Sequence, residues 1–513
     1  MSFLLMVFLT VVCLWEGYPR PLWLATPGES ALATVATVAL VGLHAFWVSR
    51  RVCWPLNRDP FRRDGLLASY ERWRFLHQLL QFGLFGLALG VFGWGWAVRE
   101  LGPLPGVELL TLAPFLAGQI LTWAFFYDAD RAAHRAAHRL VELDPFGQTW
   151  LEPRNAAPTP FGGRWAYVAF QLRQKVAFVF LPVLLLISWQ EAGRLFPASW
   201  AGVPLLMNLL AIGTLAAVVV GMPLLIRLAL GLKPLPPGPL RDRLSATSRR
   251  LGFRCSDVLL WNTRSGMANA MVIGVAPWLR YVVFTDRLVE EFTEDEVEAV
   301  FGHEVGHIRH QHMLYYLLFL TGSTAALGLA VERHLLPRLG GLGEALAASQ
   351  PWLPASLGDS LLPNGQLSLV PVILTLLAYI FVVFGYLSRR CERQADLFGC
   401  RAVSCCDPIC SGHGPETRLA PKGRGLCRAG IRTFIRALDK VALVNGIDRE
   451  RPGFLQSWQH STIAKRVAFL RHVLSTPAAE PAFQRRLLVV KVGLIAALGL
   501  ALGGLSYLHG WPW

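Results

Sequence analysis

Residues 294–312 read EDEVEAVFGHEVGHIRHQH, and inside them His303-Glu304-Val305-Gly306-His307 forms an H-E-x-x-H box. Thr293 followed by Glu296 is a capping box, which predicts a helix starting at about Glu294. On a helix, positions four apart share a face, so His303 and His307 can point at one ion. Glu304 lies one step round, within reach of a water on that ion but poorly placed to ligate it. Two imidazoles holding Zn²⁺ beside a proton-accepting carboxylate is the arrangement of a zinc hydrolase. The box fixes only three residues, and a helical face with two histidines can also be plainly solvated, so the rest of the chain has to decide.

The 513 residues are 53% hydrophobic and only 16% charged, with mean hydropathy +0.41. Soluble domains carry about 25% charged residues. The apolar residues gather into runs at about 1–15, 31–49, 75–98, 107–126, 176–189, 201–226, 313–332, 367–387 and 487–508. The first and fifth fall short of the roughly 20 residues that a helix needs to cross the hydrocarbon core. The expected fold is mainly α: a polytopic membrane protein of about seven to nine transmembrane helices, carrying an α+β zinc-hydrolase domain on its cytoplasmic side. The first run, Phe3 to Trp15, lacks the basic flank and small-residue cleavage site of a signal peptide.

A net charge of +15 raises the question of nucleic acid. The basic residues instead collect in alternate loops. Segment 50–74 holds Arg50, Arg51, Arg58, Arg62, Arg63, Arg72 and Arg74, and segment 127–175 holds another seven. That is the positive-inside pattern, so the charge reads as topology, with a lipid bilayer and no nucleic acid as partner. Nine spans with the N-terminus inside satisfy every loop. The expected divisions are then an N-terminal multi-span region over 1–232, a protease part with a small sheet and the HEVGH helix over 233–312, and a transmembrane hairpin over 313–387. A second protease part with a Cys-rich loop follows over 388–485, and a last span over 486–513. Within the first protease part, 241–251 reads as an amphipathic helix, and 257–263, 270–274 and 281–285 as strands. The HEVGH helix is expected to run without a break into the span at Met313.

A catalytic zinc takes three protein ligands and keeps one position open. The metzincin pattern fails, because His310 and Met313 stand where Gly and His would be needed. Glu332 is the acid at a near gluzincin spacing, but 25 residues of continuous helix past His307 would put it ~37 Å away. Glu392, just beyond the span at 367–387, emerges on the same side as the box. Asp396 is four residues on and shares its face, so one carboxylate can ligate while the other holds a ligand imidazole by its second nitrogen.

HEVGH on a membrane-bound helix, followed by a further span leading to SRRCERQAD, is similar to the integral-membrane gluzincins of the type I CAAX prenyl protease and HtpX family. PLPPGPLRDRL, NAMVIG and RYVVFTDRLVEEFTEDEVEAV resemble the same family, and the likeness covers about 233 to 473. It implies one Zn²⁺ per chain held by His303, His307 and Glu392, with Glu304 as general base and Asp396 steadying a ligand. The family's His-Pro motif and following Arg-Ile pair correspond to His460-Ser461 and Arg466-Val467 here, with Pro and Ile replaced. His460 is then expected to stabilise the oxyanion and Arg466 to orient the site. Met267–Gly274 reads as an edge strand to which a peptide substrate could add, and the resemblance points to Asn269 and Ala270 there.

The expected function is hydrolysis of peptide bonds in peptide or membrane-protein substrates, in membrane-protein quality control. The alternatives are processing of prenylated C-terminal peptides and a non-catalytic scaffold that keeps the fold. An excess of Arg over Lys hints at a bacterial inner membrane. Other groups read more plainly. His134 and His138 lie on an Arg-rich interfacial helix, and His310 and His312 read as surface residues. The cysteines at 400, 405, 406, 410 and 427, with His413 nearby, lack paired C-x-x-C knuckles and read as free thiols.

Overall fold

The computed structural model describes residues 18, 20–21, 24–58, 63–102, 107–138, 162–181, 183–185, 204–264, 266–331, 334, 337–338, 375, 378–414, 416–445, 447–450 and 458–509. It is mostly helical and forms two units. The first comprises Met1–Pro237, Arg254–Glu291 and Val444–Gly446; the second comprises Gly238–Phe253, Phe292–Leu443 and Ile447–Trp513.

The first unit opens with α1 (Pro27–Arg58), α2 (Arg63–Gly90), α3 (Trp94–Arg99), α4 (Ala113–His138), α5 (Arg164–Lys175) and α6 (Pro204–Leu230). Ala45, Val48 and Val52 of α1 pack with Tyr70 of α2 and Phe126 of α4. The run at 75–98 is not one helix. It stops at Gly90 and restarts at Trp94 after Gly93, whose φ of 66° lies in the left-handed region that only glycine enters without cost. Polar side chains also bridge the apolar helices: His44 to His77 at 2.9 Å, His77 to Thr122 at 2.8 Å and Gln119 to Gln81 at 2.7 Å. Each satisfies a polar group that would otherwise be costly to bury.

The same unit holds a four-stranded sheet of order β1-β2-β4-β3, followed by the short helix α8 (Asp286–Glu291). Strands β2 (Asp257–Trp261), β3 (Ala270–Ile273) and β4 (Tyr281–Thr285) follow the expected segments. β1 (Lys233–Pro234), inside the proline-rich linker, was not expected; it pairs antiparallel with β2. β2 and β4 are parallel, and β3 is an edge strand, antiparallel to β4. Ahead of β3, Asn445 brackets the main chain of Ala268, accepting from its N–H at 2.9 Å and donating to its carbonyl at 2.8 Å.

The second unit contains α7 (Pro239–Leu251), α9 (Glu294–Arg309), α10 (His312–Ala330), α11 (Gly385–Ala402), α12 (Arg428–Val444), α13 (Ile463–Ser475) and α14 (Ala479–His509). Leu397, Cys400, Phe434, Val467 and Leu470 are among the buried residues of its core. The capping box is present at the start of α9: Glu296 N–H donates to Thr293 Oγ1 at 3.4 Å, and Thr293 N–H donates to Glu296 Oε2 at 3.0 Å. Buried Glu298 ties α7 to α9. It accepts from Arg243 at 2.8 Å, Thr247 at 2.6 Å and Arg250 at 3.0 Å, so its charge is compensated.

α9 and α10 are not one continuous rod, contrary to the expectation. Gln311 adopts φ 54° and ψ 33°, which ends one helix and re-aims the chain into the next. Among the described residues three helices, at Pro27–Val52, Leu109–Ala133 and Ala479–Gly504, are long and apolar enough to cross a membrane. The run at 1–15 and Glu332 lie outside the described residues, as do most of 339–377.

Candidate metal centre and active site

The site is assembled from α9, α11 and the segment leading into α13. α9 carries the box and α11 carries Glu392 and Asp396. The two helices meet through small residues. A Cβ on Gly306 would lie 2.9 Å from Phe398 Cβ and 3.2 Å from Ala395 Cα, and one on Gly302 would overlap Ala402 Cβ. A Cβ on Gly399 would come within 2.9 Å of Ala299 O. The unspecified glycine inside HEVGH is therefore what lets the two halves of the site approach.

His303, His307 and Glu392 each offer one ligand atom, all within 4.8 Å of one another. His303 Nε2 and His307 Nε2 are 3.2 Å apart. Glu392 reaches them at 3.7 and 3.5 Å through its two oxygens. The outer nitrogens fix the tautomers. Gln394 Oε1 accepts from Lys491 at 3.1 Å and can only accept from His312 Nε2 at 2.9 Å. His312 Nδ1 is then an acceptor, and His307 Nδ1–H donates to it at 3.1 Å. His303 Nδ1 lies 3.0 Å from Asp396 Oδ1, a close but bent approach. Both imidazoles thus turn Nε2 toward the same point; His307 offers a lone pair there, and a positive centre between the rings, a metal ion or a proton on His303, makes the 3.2 Å contact favourable. Tetrahedral zinc with Zn–N of about 2.0–2.1 Å sets two nitrogens about 3.3 Å apart, and a nitrogen-nitrogen-carboxylate donor set suits that ion. The residues fit the group.

Burial pushes His307 down to about 4, which keeps the imidazole neutral and ligand-competent at neutral pH. Burial opposes charge on His303 too, but the hydrogen bond and charge of Asp396 prevail and raise it. Burial alone would raise Glu392; His460, His307 and His303 override it and hold the carboxyl well below its ordinary range. Asp396 is likewise kept ionised against burial, by Arg466 and His303. Arg466 grips Asp396 with two nitrogens, Nε at 2.9 Å from Oδ2 and Nη2 on Oδ1. Its Nη1 lies 3.8 Å from Glu392.

His460 Nδ1 is 3.1 Å from Glu392 Oε1, while the side chain is 59% exposed, so one edge is anchored and the rest faces outward. The cap of α13 is Thr462, whose Oγ1 accepts from Lys465 N–H at 3.2 Å, and Ser461 before it sits at φ 66°. Glu304 is half-buried, and its charge raises both His460 and Arg466. An open cavity beside this segment is lined by Phe381, Tyr386, Arg389, Trp458 and Thr462, among others.

His303, Glu304, His307, Glu392, Asp396, His460 and Arg466 all belong to the second unit, whereas Asn269 and Ala270 belong to the first. Asn269 uses its main chain on β4: its N–H donates to Thr285 Oγ1 at 2.8 Å and its carbonyl accepts from Thr285 N–H at 3.0 Å. By the alternation of an antiparallel ladder, Ala270 turns its main-chain groups to the outer edge instead. His312 is the residue that sequence reading misplaced. It is fully buried against His307, not at the surface, because the turn at Gln311 swings it inward. Nothing in the H-E-x-x-H spacing signals that. The side chains of His134 and His138 lie outside the described residues.

An H-E-x-x-H helix whose two imidazoles meet a carboxylate from a separate helix defines the gluzincin class of metallopeptidase centre. Residues 238–408 match the family model described as Peptidase family M48. A CAAX prenyl protease 1 homolog from Arabidopsis thaliana is 24% identical over 279 residues, 51% of this chain and 60% of the relative. A protease HtpX homolog from Pyrobaculum islandicum is 34% identical over 102 residues, 20% of this chain and 28% of the relative. Both matches span less than two thirds of the relative's own length. A crystal structure of S. mikatae Ste24p aligns over 88% of this chain and 99% of that one at 14% identity and a TM-score of 0.34, too loose a likeness to bear on the fold. Over residues 238–408, one third of its length, the chain is thus similar to M48 peptidases.

Proposed function

We propose that the chain is a zinc-dependent membrane endopeptidase, with His303, His307 and Glu392 as ligands of one ion and Glu304 as general base. The observation that carries this is the convergence of the two Nε2 atoms, 3.2 Å apart, with the buried Glu392 carboxylate, all three ligand atoms within 4.8 Å of one another. Zinc, when bound, supplies the Lewis acidity that activates water and polarises the scissile carbonyl. Glu304 accepts the proton of the attacking water and delivers it to the leaving amine. His460, anchored through Nδ1, offers its other nitrogen to the oxyanion. Arg466 and Asp396 hold His303 in place. Ala270 on edge strand β3 offers main-chain pairing to an extended substrate, with Asn269 beside it.

The positive-inside pattern supports a cytoplasmic face for this site, the apolar runs support seven to nine spans, and the excess of Arg over Lys is the ground for a bacterial inner membrane. Removal of damaged or misassembled membrane proteins is the role proposed there. The matches to proteins named CAAX prenyl protease 1 homolog favour a second reading, the trimming of prenylated C-terminal peptides. One assay tests the activity and separates the two roles. The purified chain is offered an unfolded membrane protein and a farnesylated C-terminal peptide, before and after removal of zinc with a chelator. Cleavage that is lost on chelation and restored by added zinc supports the enzyme, and the substrate cleaved selects the role. Cleavage untouched by chelation would overturn the proposal.

A further inference from the structure

The segment Val403–Cys427 joins the helix that carries Glu392 to the helix whose Phe434 stacks on His303 at 5.8 Å. Its sequence, VSCCDPICSGHGPETRLAPKGRGLC, has little to fold around: Ile409, one of its few large apolar side chains, is 70% exposed. A loop of this length with so small a core is unusual unless something ties it together. Yet it is folded closely. Ala420 N–H donates to Ser404 O at 2.8 Å, Ala429 N–H to Cys410 O at 3.0 Å and Arg428 N–H to Pro408 O at 3.2 Å. Cys405 bridges to Leu419.

At the centre of this fold four soft donors converge. The ligand atoms of Cys405, Cys410, His413 and Cys427 all lie within 4.8 Å of one another. Cys427 Sγ is 3.3 Å from His413 Nε2, and the main-chain N–H of Gly430 donates to the same sulfur at 3.3 Å. The three cysteines are free, Cys405 and Cys427 buried, while neighbouring Cys406 is exposed and outside the group. Tetrahedral zinc with Zn–S of about 2.3 Å sets its sulfurs about 3.8 Å apart, inside the 4.8 Å that bounds these ligand atoms. The spacing is C-x4-C-x2-H-x13-C, whose first interval lies within the range of structural zinc sites. The match to the M48 model ends at residue 408, ahead of three of the four residues.

We propose that Cys405, Cys410, His413 and Cys427 bind a second, structural zinc ion that knots this loop and fixes the end of the Glu392 helix against the start of the next. Three thiols lose their protons on binding, and neutral His413 completes a closed, four-coordinate shell with no position for water. Its role is therefore mechanical and separate from peptide hydrolysis.

The test is metal analysis of the full chain purified in detergent. Wild type should hold about two zinc ions per chain, Cys410→Ser/Cys427→Ser about one, and His303→Ala/His307→Ala about one, still held by the cysteines. A double-histidine variant with zinc and a double-cysteine variant without it would support this site while overturning the catalytic one. Wild type supplies a check that does not depend on variant folding. Cobalt replacing zinc should show a thiolate-to-metal charge-transfer band, and Cys405, Cys410 and Cys427 should resist alkylation until a chelator is added, whereas Cys406 reacts throughout. A zinc content unchanged by the double-cysteine substitution, no charge-transfer band, or chelator-independent alkylation would each overturn the proposal.

Discussion

At the residue scale the two imidazoles proposed as ligands are set by different partners, and this has measurable consequences. His307 owes its tautomer to His312, which is itself oriented by Gln394. Replacing His312 by Ala should weaken zinc binding at the box about 10- to 100-fold, the usual cost of losing an outer partner of a ligand histidine. Chelator competition measures it, and a thermal midpoint close to wild type would separate this from unfolding. Asp396→Asn should act on His303 similarly, and it also removes the charge that Arg466 grips. That His303 and His307 share a face was legible in the sequence because the i, i+4 spacing is a property of any helix. Glu392 is the third ligand proposed because the nearer alternatives failed on spacing or distance, and its carboxylate lies beside both imidazoles. His312 was not, because its position depends on one residue, Gln311, leaving the helical region in a way that no periodicity announces.

At the element scale the two halves of the site are brought together by glycine contacts between α9 and α11. Gly306→Val should force the helices apart, costing about 1–3 kcal/mol in stability and lowering zinc affinity as Glu392 recedes. Thr293→Ala should cost only about 1 kcal/mol, since it removes one cap and leaves the packing alone. Gln311→Gly should be neutral or stabilising, because glycine enters the left-handed region freely. Thermal unfolding of the three variants ranks them in that order, and a destabilised Gln311→Gly would contradict the conformation described. The start of α9 was readable from its cap, and three strands from their β-branched and aromatic runs. β1 escaped notice because two residues of a proline-rich linker carry no strand pattern. The contact between α9 and α11 escaped too, because the glycines that allow it, Gly302, Gly306 and Gly399, carry no periodic signal.

On the scale of the whole molecule, composition carried most of the reading. Long apolar runs with few charges are the pattern of membrane spans, and three described helices meet the length and apolarity for crossing one. Where those runs break is less legible: glycine and short turns divide 75–98 and interrupt the chain after the box without changing local composition. The loop charges lead to one prediction about topology. Single cysteines placed in the 50–74 and 388–400 segments of a chain whose own reactive thiols are blocked should label from the same side of sealed vesicles. Labelling from opposite sides would refute the nine-span arrangement. The central claim is that Glu304 performs proton transfer at a zinc ion it does not hold. It is tested by comparing cleavage by wild type and Glu304→Gln at equal zinc content. The expected result is unchanged zinc at the His303–His307–Glu392 site with a rate lowered by about 10²- to 10⁴-fold; a zinc-loaded Glu304→Gln chain that cleaves at the wild-type rate would contradict it.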